Sequence, residues 1–147
     1  MKLPYFEACL RETMRLTPVA VSIFPRLVSK GGVTVLGRFI PEGTEVTCQS
    51  HVCGRNKQLY GKDATEYRPE RWLEADENTL ADWDRFDFNW AYGSRACIGK
   101  NIALMQLHKI LVQFFRMFET VVQNYGVYHN GGTVNFVDIM VKLKLRV

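Results

Sequence analysis

No run of this chain approaches the roughly 18 apolar residues that span a bilayer, so no segment of it reads as a membrane anchor. Cysteine is scarce. The four cysteines, at positions 9, 48, 53 and 97, are too few and too scattered for a disulfide framework. No basic-then-apolar leader stands before them, which predicts a reducing compartment. Internal repeats and low-complexity stretches are missing, and charge of one sign is small: 19 basic against 15 acidic residues leave +4. That balance tolerates an anionic cofactor or an acidic partner surface, but it lacks the basic excess of a nucleic-acid binder, and no nucleic-acid partner is expected. With 47% hydrophobic and 23% charged residues in 147, the composition is that of a folded chain able to enclose one core.

What is present alternates between helical and strand patterns. Pro4 suits a first helical turn, and Phe6, Cys9, Leu10 and Met14 recur at helical spacing, so the spacing predicts a helix over 4–16. Thr17-Pro18 ends it, because the residue before proline avoids the helical region. A helix opening so near Met1 has no preceding element to pack on, and the chain reads as part of something larger. Residues 19–60 read as short strands, with Val33–Leu36 and Glu45–Cys48 on either side of a turn at Ile40-Pro41-Glu42-Gly43. From Asp63 to Trp90 the sequence reads as a long irregular loop of the kind that carries function. Ile102–Val122 is predicted as the clearest helix. Its polar stripe is Gln106, Lys109, Gln113, Arg116 and Thr120, and its wide apolar face predicts burial on more than one side. Residues 141–147 alternate strictly as a strand with one basic face. The expected fold class is mainly α with small β-sheets, an α+β arrangement.

The chemistry concentrates in Trp90-Ala91-Tyr92-Gly93-Ser94-Arg95-Ala96-Cys97-Ile98-Gly99, which runs into the long helix. A cysteine at a helix N-terminus meets unpaired N–H groups and the positive end of the macrodipole, which favour a thiolate. Gly93 allows a tight turn, and Gly99 allows a bulky flat ligand to approach. Arg95 can pair with an anionic group, and Trp90 offers an aromatic shield against water. Taken alone, a cysteine is more often a small buried hydrophobe than a ligand. The surrounding pattern is what shifts the balance.

That pattern resembles the cysteine-ligand signature of the cytochrome P-450 family, Phe-x-x-Gly-x-Arg-x-Cys-x-Gly. Four of its five fixed positions match, as Gly93, Arg95, Cys97 and Gly99, with Trp90 in place of phenylalanine. Glu12-Thr13-Met14-Arg15 resembles the family's Glu-x-x-Arg helix, and Tyr67-Arg68-Pro69-Glu70-Arg71-Trp72 its Pro-Glu-Arg-aromatic segment. The resemblance implies that Arg71 completes a buried cluster with Glu12 and Arg15; by themselves those two residues would read as a surface pair worth about 0.3 kcal/mol. It further implies a haem (iron protoporphyrin IX) with Cys97 as axial ligand, whose electron-rich thiolate promotes O–O cleavage. Arg95 and Arg26 would sit near the haem propionates. One oxygen atom would enter a small organic substrate, with electrons from an NADPH-dependent reductase. The family often has a His-Arg pair where this chain has Gly54-Arg55, and Trp90 touches the sulfur's surroundings. Residues 17–24 and the turn at 130–137 resemble substrate-contacting parts.

The resemblance extends over nearly the whole chain and points to a fungal-type microsomal member, whose full-length relatives typically sit at the endoplasmic reticulum membrane. Residues 1–147 would be the C-terminal haem-binding portion of that domain, since no Ala/Gly-Gly-x-Asp/Glu-Thr oxygen-activating stretch occurs. A truncated, non-catalytic haem-binding fragment is the second reading. A third, a small zinc module built on Cys48, His51 and Cys53, fits poorly, because the spacing departs from paired Cys-x2–4-Cys sites and the segment reads as a strand. His108 is expected in solvent, and Lys100 reads as a surface charge beside the cysteine loop.

Overall fold

The structure is a computed structural model that describes residues 3–21, 25–130 and 133–146. The chain divides into two compact units, residues 1–89 and 90–147.

The first unit opens with helix α1 (Pro4–Leu16), which has proline at its first turn and Thr17 as C-cap, the Thr17 N–H donating to the Thr13 carbonyl. Four short strands follow: β1 (Arg26–Leu27), β2 (Val33–Val35), β3 (Arg38–Ile40) and β4 (Glu45–Val46). Their pairing differs from the expected one. β2 pairs antiparallel with β3, and β1 with β4, so Val33–Leu36 and Glu45–Cys48 are not partners. The reason lies at Leu36 and Gly37, both with positive φ (49° and 77°), which close a two-residue hairpin whose twist matches the strands. The Pro41 region does turn, but the hydrogen bond runs from Thr44 N–H to the Pro41 carbonyl, one residue later than expected.

Beyond β4 the chain is helical where a strand was expected. Helices α2 (Ser50–Cys53) and α3 (Lys57–Tyr60) are single turns, α3 capped by Asn56, whose side chain accepts from the Gln58 N–H at 2.8 Å. The expected irregular loop over 63–90 holds α4 (Arg71–Glu74) and α5 (Glu77–Arg85). Asp76 caps α5 by accepting from the Thr79 N–H at 2.7 Å, an N-terminal signal present in the sequence and overlooked. The core beside these helices is aromatic. Tyr60, Ala64 and Trp83 are buried, with Leu59, Trp72, Ala75 and Leu80 packed against them. Trp72 and Trp83 meet edge to face at 4.8 Å, and the Trp83 indole N–H donates to the Leu59 carbonyl at 2.9 Å.

The second unit consists of a short 3-10 turn (Gly93–Arg95), helix α6 (Lys100–Met117) and a long hairpin of β5 (Phe118–Asn130) and β6 (Val134–Leu145). The helix stops at Met117, five residues before its expected end at Val122. Phe118–Val122 instead pair with 141–145, for example Phe118 with Leu145 and Thr120 with Leu143. The β-branched run Thr120-Val121-Val122 fits a pleated strand better than a helix. Nor is α6 buried on several sides: none of its residues is buried, and Ile102 and Ile110 are more than half exposed. His108 is half-buried, its Nδ1 within 2.7 Å of the Leu104 carbonyl, which removes it from the solvent expected for it.

Candidate functional site

Two constellations carry chemistry, one in each unit. In the first, α1 turns Glu12 and Arg15 to the same side, because residues three apart are neighbours on a helix. Both are buried, as is Arg71 at the start of α4. Arg15 grips Glu12 in a fork, Nε to Oε2 at 2.9 Å and Nη2 to Oε1 at 2.7 Å. Arg71 Nε donates to Glu12 Oε1 at 3.1 Å, the Trp72 indole N–H to Oε2 at 2.9 Å, and the Arg68 backbone N–H to Oε1 at 2.8 Å.

The remaining guanidinium hydrogens are used as fully. Arg15 Nη1 donates to the carbonyls of Gly54 and Ala64, and Nη2 to that of Glu66. Arg71 donates to the carbonyls of Tyr60, Asp63 and Glu66 and to the Asp63 carboxylate. One carboxylate and two guanidinium groups thus organise residues 54 to 72, which otherwise hold only single-turn helices. Burial alone would raise the Glu12 carboxyl. The hydrogen bonds from Arg15, Arg68 and Trp72 outweigh it and hold the group below its ordinary value of 4.5. Asp63 is likewise held low, chiefly by the hydrogen bond from Arg71. The Tyr60 hydroxyl is pushed up to about 12 by burial, with Asp87 adding to it.

Gly54 packs closely against the backbone of α1. A Cβ at position 54 would lie inside van der Waals contact of the Arg15 carbonyl oxygen, so a side chain fits only if α1 shifts. Nothing in the sequence alone exposed that constraint.

In the second unit the cysteine loop is closed on itself. The Cys97 N–H donates to the Trp90 carbonyl at 2.7 Å, and the Ala96 N–H to the Gly93 carbonyl at 3.0 Å. Two residues take the left-handed conformation, Gly93 (φ 65°) and, unforeseen, Ala91 (φ 56°). Gly99 is the N-cap of α6, and the Lys100 N–H donates back to the Cys97 carbonyl at 3.3 Å. Cys97 is a free, exposed thiol. A Cβ on Gly99 would sit 3.8 Å from the Cys97 sulfur, so glycine leaves the space beside the sulfur open. Arg95 is exposed on the same loop, and Trp90 is half-buried at its base. A soft sulfur donor, room beside it and a neighbouring cation suit a haem with anionic propionates.

The structure therefore brings together Trp90, Gly93, Arg95, Cys97 and Gly99 in one loop, and Glu12, Arg15 and Arg71 in one cluster. Arg26 is exposed on β1 of the first unit and belongs to neither. Of the suggested substrate-contacting segments, 22–24 and 131–132 lie outside the described residues. Sequence reasoning missed Arg68, Trp72 and Asp63 as members of the buried cluster. For Trp72 the signal was available, since an indole N–H beside a buried carboxylate needs an acceptor. The zinc reading finds no support: among the described residues no three His, Cys, Asp or Glu side chains could hold a metal ion. Its strand argument also falls, because Ser50–Cys53 is helical. No helix among the described residues is long and apolar enough to cross a membrane.

A fully bonded carboxylate–diguanidinium cluster and a cysteine loop leading into a long helix are the features whose sequence motifs resemble those of a class of haem proteins. The comparisons narrow it to a family: the cytochrome P-450 family model matches residues 1–129, and this chain belongs to that family. It is 41% identical over 124 residues to a pisatin demethylase of Fusarium vanettenii, an alignment covering 84% of this chain and 23% of that protein. It is 38% identical over 137 residues to the cytochrome P-450 monooxygenase ustC of Aspergillus flavus, covering 92% of this chain and 33% of that one. A zebrafish cytochrome P-450 solved with progesterone shares the fold, with TM-score 0.80 at 20% identity, over 98% of this chain and 32% of the other. The chain thus spans between 23% and 33% of the length of these two curated relatives.

Proposed function

We propose that residues 1–147 are the C-terminal haem-binding portion of a haem-thiolate monooxygenase, in which Cys97 would hold the iron. The observation that carries this reading is the exposed Cys97 thiol at the head of α6, in a loop closed by the Trp90 carbonyl and left open beside the sulfur by Gly99. Haem, when bound, supplies the activation of O2 by which one oxygen atom enters an organic substrate, with electrons from an NADPH-dependent reductase. This chain's own residues bind and orient. Cys97 would give its sulfur to the iron, Gly93 turns the loop that presents it, and Trp90 would shield the iron-bound sulfur from water. Arg95, exposed on the same loop, would pair with a propionate. Glu12, Arg15 and Arg71 fix the backbone between residues 54 and 72, a positioning role rather than a chemical one. For the whole enzyme, a small organic substrate and the endoplasmic reticulum membrane follow from the same reading.

The chain's short span against its relatives favours one further reading, a haem-binding fragment without turnover of its own. The test is a carbon monoxide difference spectrum of the reduced, haem-reconstituted protein, comparing wild type with Cys97→Ser. A thiolate-type Soret shift in wild type that vanishes in the variant is expected. Its absence in wild type, or its survival in the variant, overturns the ligand assignment. A normal spectrum without NADPH-dependent product formation in the presence of reductase supports the fragment reading.

A further inference from the structure

Cys48 and Cys53 are not used by the chemistry above, yet their sulfurs lie 3.3 Å apart. The backbone brings them there. After β4 the chain bends at Gln49, whose carbonyl accepts from the N–H groups of Val52 and Cys53 at 3.1 and 3.0 Å, and α2 carries Cys53 back over Cys48. Cys53 is also held from its other side. Gly54 donates its N–H to the Ser50 carbonyl at 2.8 Å, and its own carbonyl accepts from the buried Arg15 guanidinium. Both cysteines are half-buried. Cys9 stands on α1 and Cys97 in the loop before α6.

We propose that Cys48 and Cys53 form a dithiol modification site that a low-molecular-weight disulfide such as glutathione disulfide converts to an intramolecular disulfide. One cysteine thiolate attacks a sulfur of the oxidant, breaking its S–S bond and releasing one glutathione thiolate. The second cysteine gives up its proton to solvent, attacks the mixed disulfide and expels the second glutathione. The protein loses two electrons and two protons, and the oxidant gains them as two thiols. The sulfurs need to close from 3.3 Å to the S–S bond length of about 2.05 Å. Burial, together with the hydrogen bond to Cys53, pushes the Cys48 thiol up to about 11, so the resting pair sits in contact without like-charge repulsion.

The experiment equilibrates the full chain in glutathione redox buffers, quenches with an alkylating agent, digests with trypsin and reads masses. Both cysteines fall in one peptide, Phe39–Arg55. The expected product is that peptide lighter by two hydrogen atoms and unalkylated, with Cys9 and Cys97 fully alkylated. The equilibrium constant should exceed that of the guanidinium-unfolded chain by roughly tenfold or more. Cys48→Ser should leave a lasting glutathione adduct on Cys53. Equal constants in the folded and unfolded chain, or persistent glutathione adducts on the wild-type pair, overturn the proposal. So does alkylation of both thiols in a buffer that oxidises the unfolded chain.

Discussion

The two units contrast in where they put their charge and their apolar surface. In the first, Glu12, Arg15 and Arg71 are buried more deeply than most of its hydrophobic residues. In the second no described residue is buried, and Ile98, Ile102, Ile110, Tyr125 and Leu145 are more than half exposed. The difference shows two ways of fixing a backbone. Residues 54–72 have almost no regular ladder of their own, so side-chain donors anchor their carbonyls. The hairpin of β5 and β6 is instead held by the regular ladder between its two strands. A buried cluster of that kind is costly to assemble and very costly to break, whereas an exposed apolar face contributes little until something covers it.

The largest expected effect comes from breaking the buried side of the comparison. Glu12→Gln leaves two buried guanidinium groups without their counter-charge, and unfolding by denaturant, followed through Trp72 and Trp83 fluorescence, should show a loss of about 3–5 kcal/mol. A loss below about 1 kcal/mol would mean that backbone carbonyls alone satisfy both arginines. Next is Gly54→Ala, which forces a methyl against the Arg15 carbonyl and should cost about 1–3 kcal/mol in the same measurement. An unchanged midpoint would show that α1 yields freely.

Acid sharpens the contrast further. The Glu12 carboxyl is held below its ordinary 4.5 in the folded chain, so its contribution is complete above that pH and is lost as pH falls through the lower folded value. Stability measured from pH 6 down to pH 3 should therefore fall more steeply for wild type than for Glu12→Gln; parallel curves would assign the acid sensitivity elsewhere. The smallest effect belongs to the exposed side. Ile110→Glu on α6 should change stability by no more than about 0.5 kcal/mol while improving solubility. A larger loss would reveal that this face is covered.

The cysteine loop, the start and end of α1 and the mixed helix-and-sheet character were legible from local signals: proline at a first turn, a residue before proline, glycines around a cysteine. Less could be read where two local preferences compete. Phe118–Val122 continues the apolar pattern of α6, yet its β-branched residues pair with 141–145 across the hairpin, and partners 19 to 27 residues away do not enter a helical periodicity. Cys48–Cys53 alternates like a strand and folds as a turn of helix, because the Val52 and Cys53 N–H groups donate to the Gln49 carbonyl within the segment rather than to a neighbouring strand.

The sequence by itself determined the loop around Cys97, since backbone freedom at Gly93 and a donor atom at Cys97 are properties of single residues at short spacing. It also determined that Glu12 and Arg15 share a helix face. Only the tertiary structure decided that this face is buried and that Arg68, Trp72 and Asp63 complete its hydrogen bonding. It alone decided that position 54 has no room for a side chain, and that two cysteines five residues apart meet at their sulfurs. Burial and long-range contact arise where separate segments converge, and no local pattern encodes that convergence.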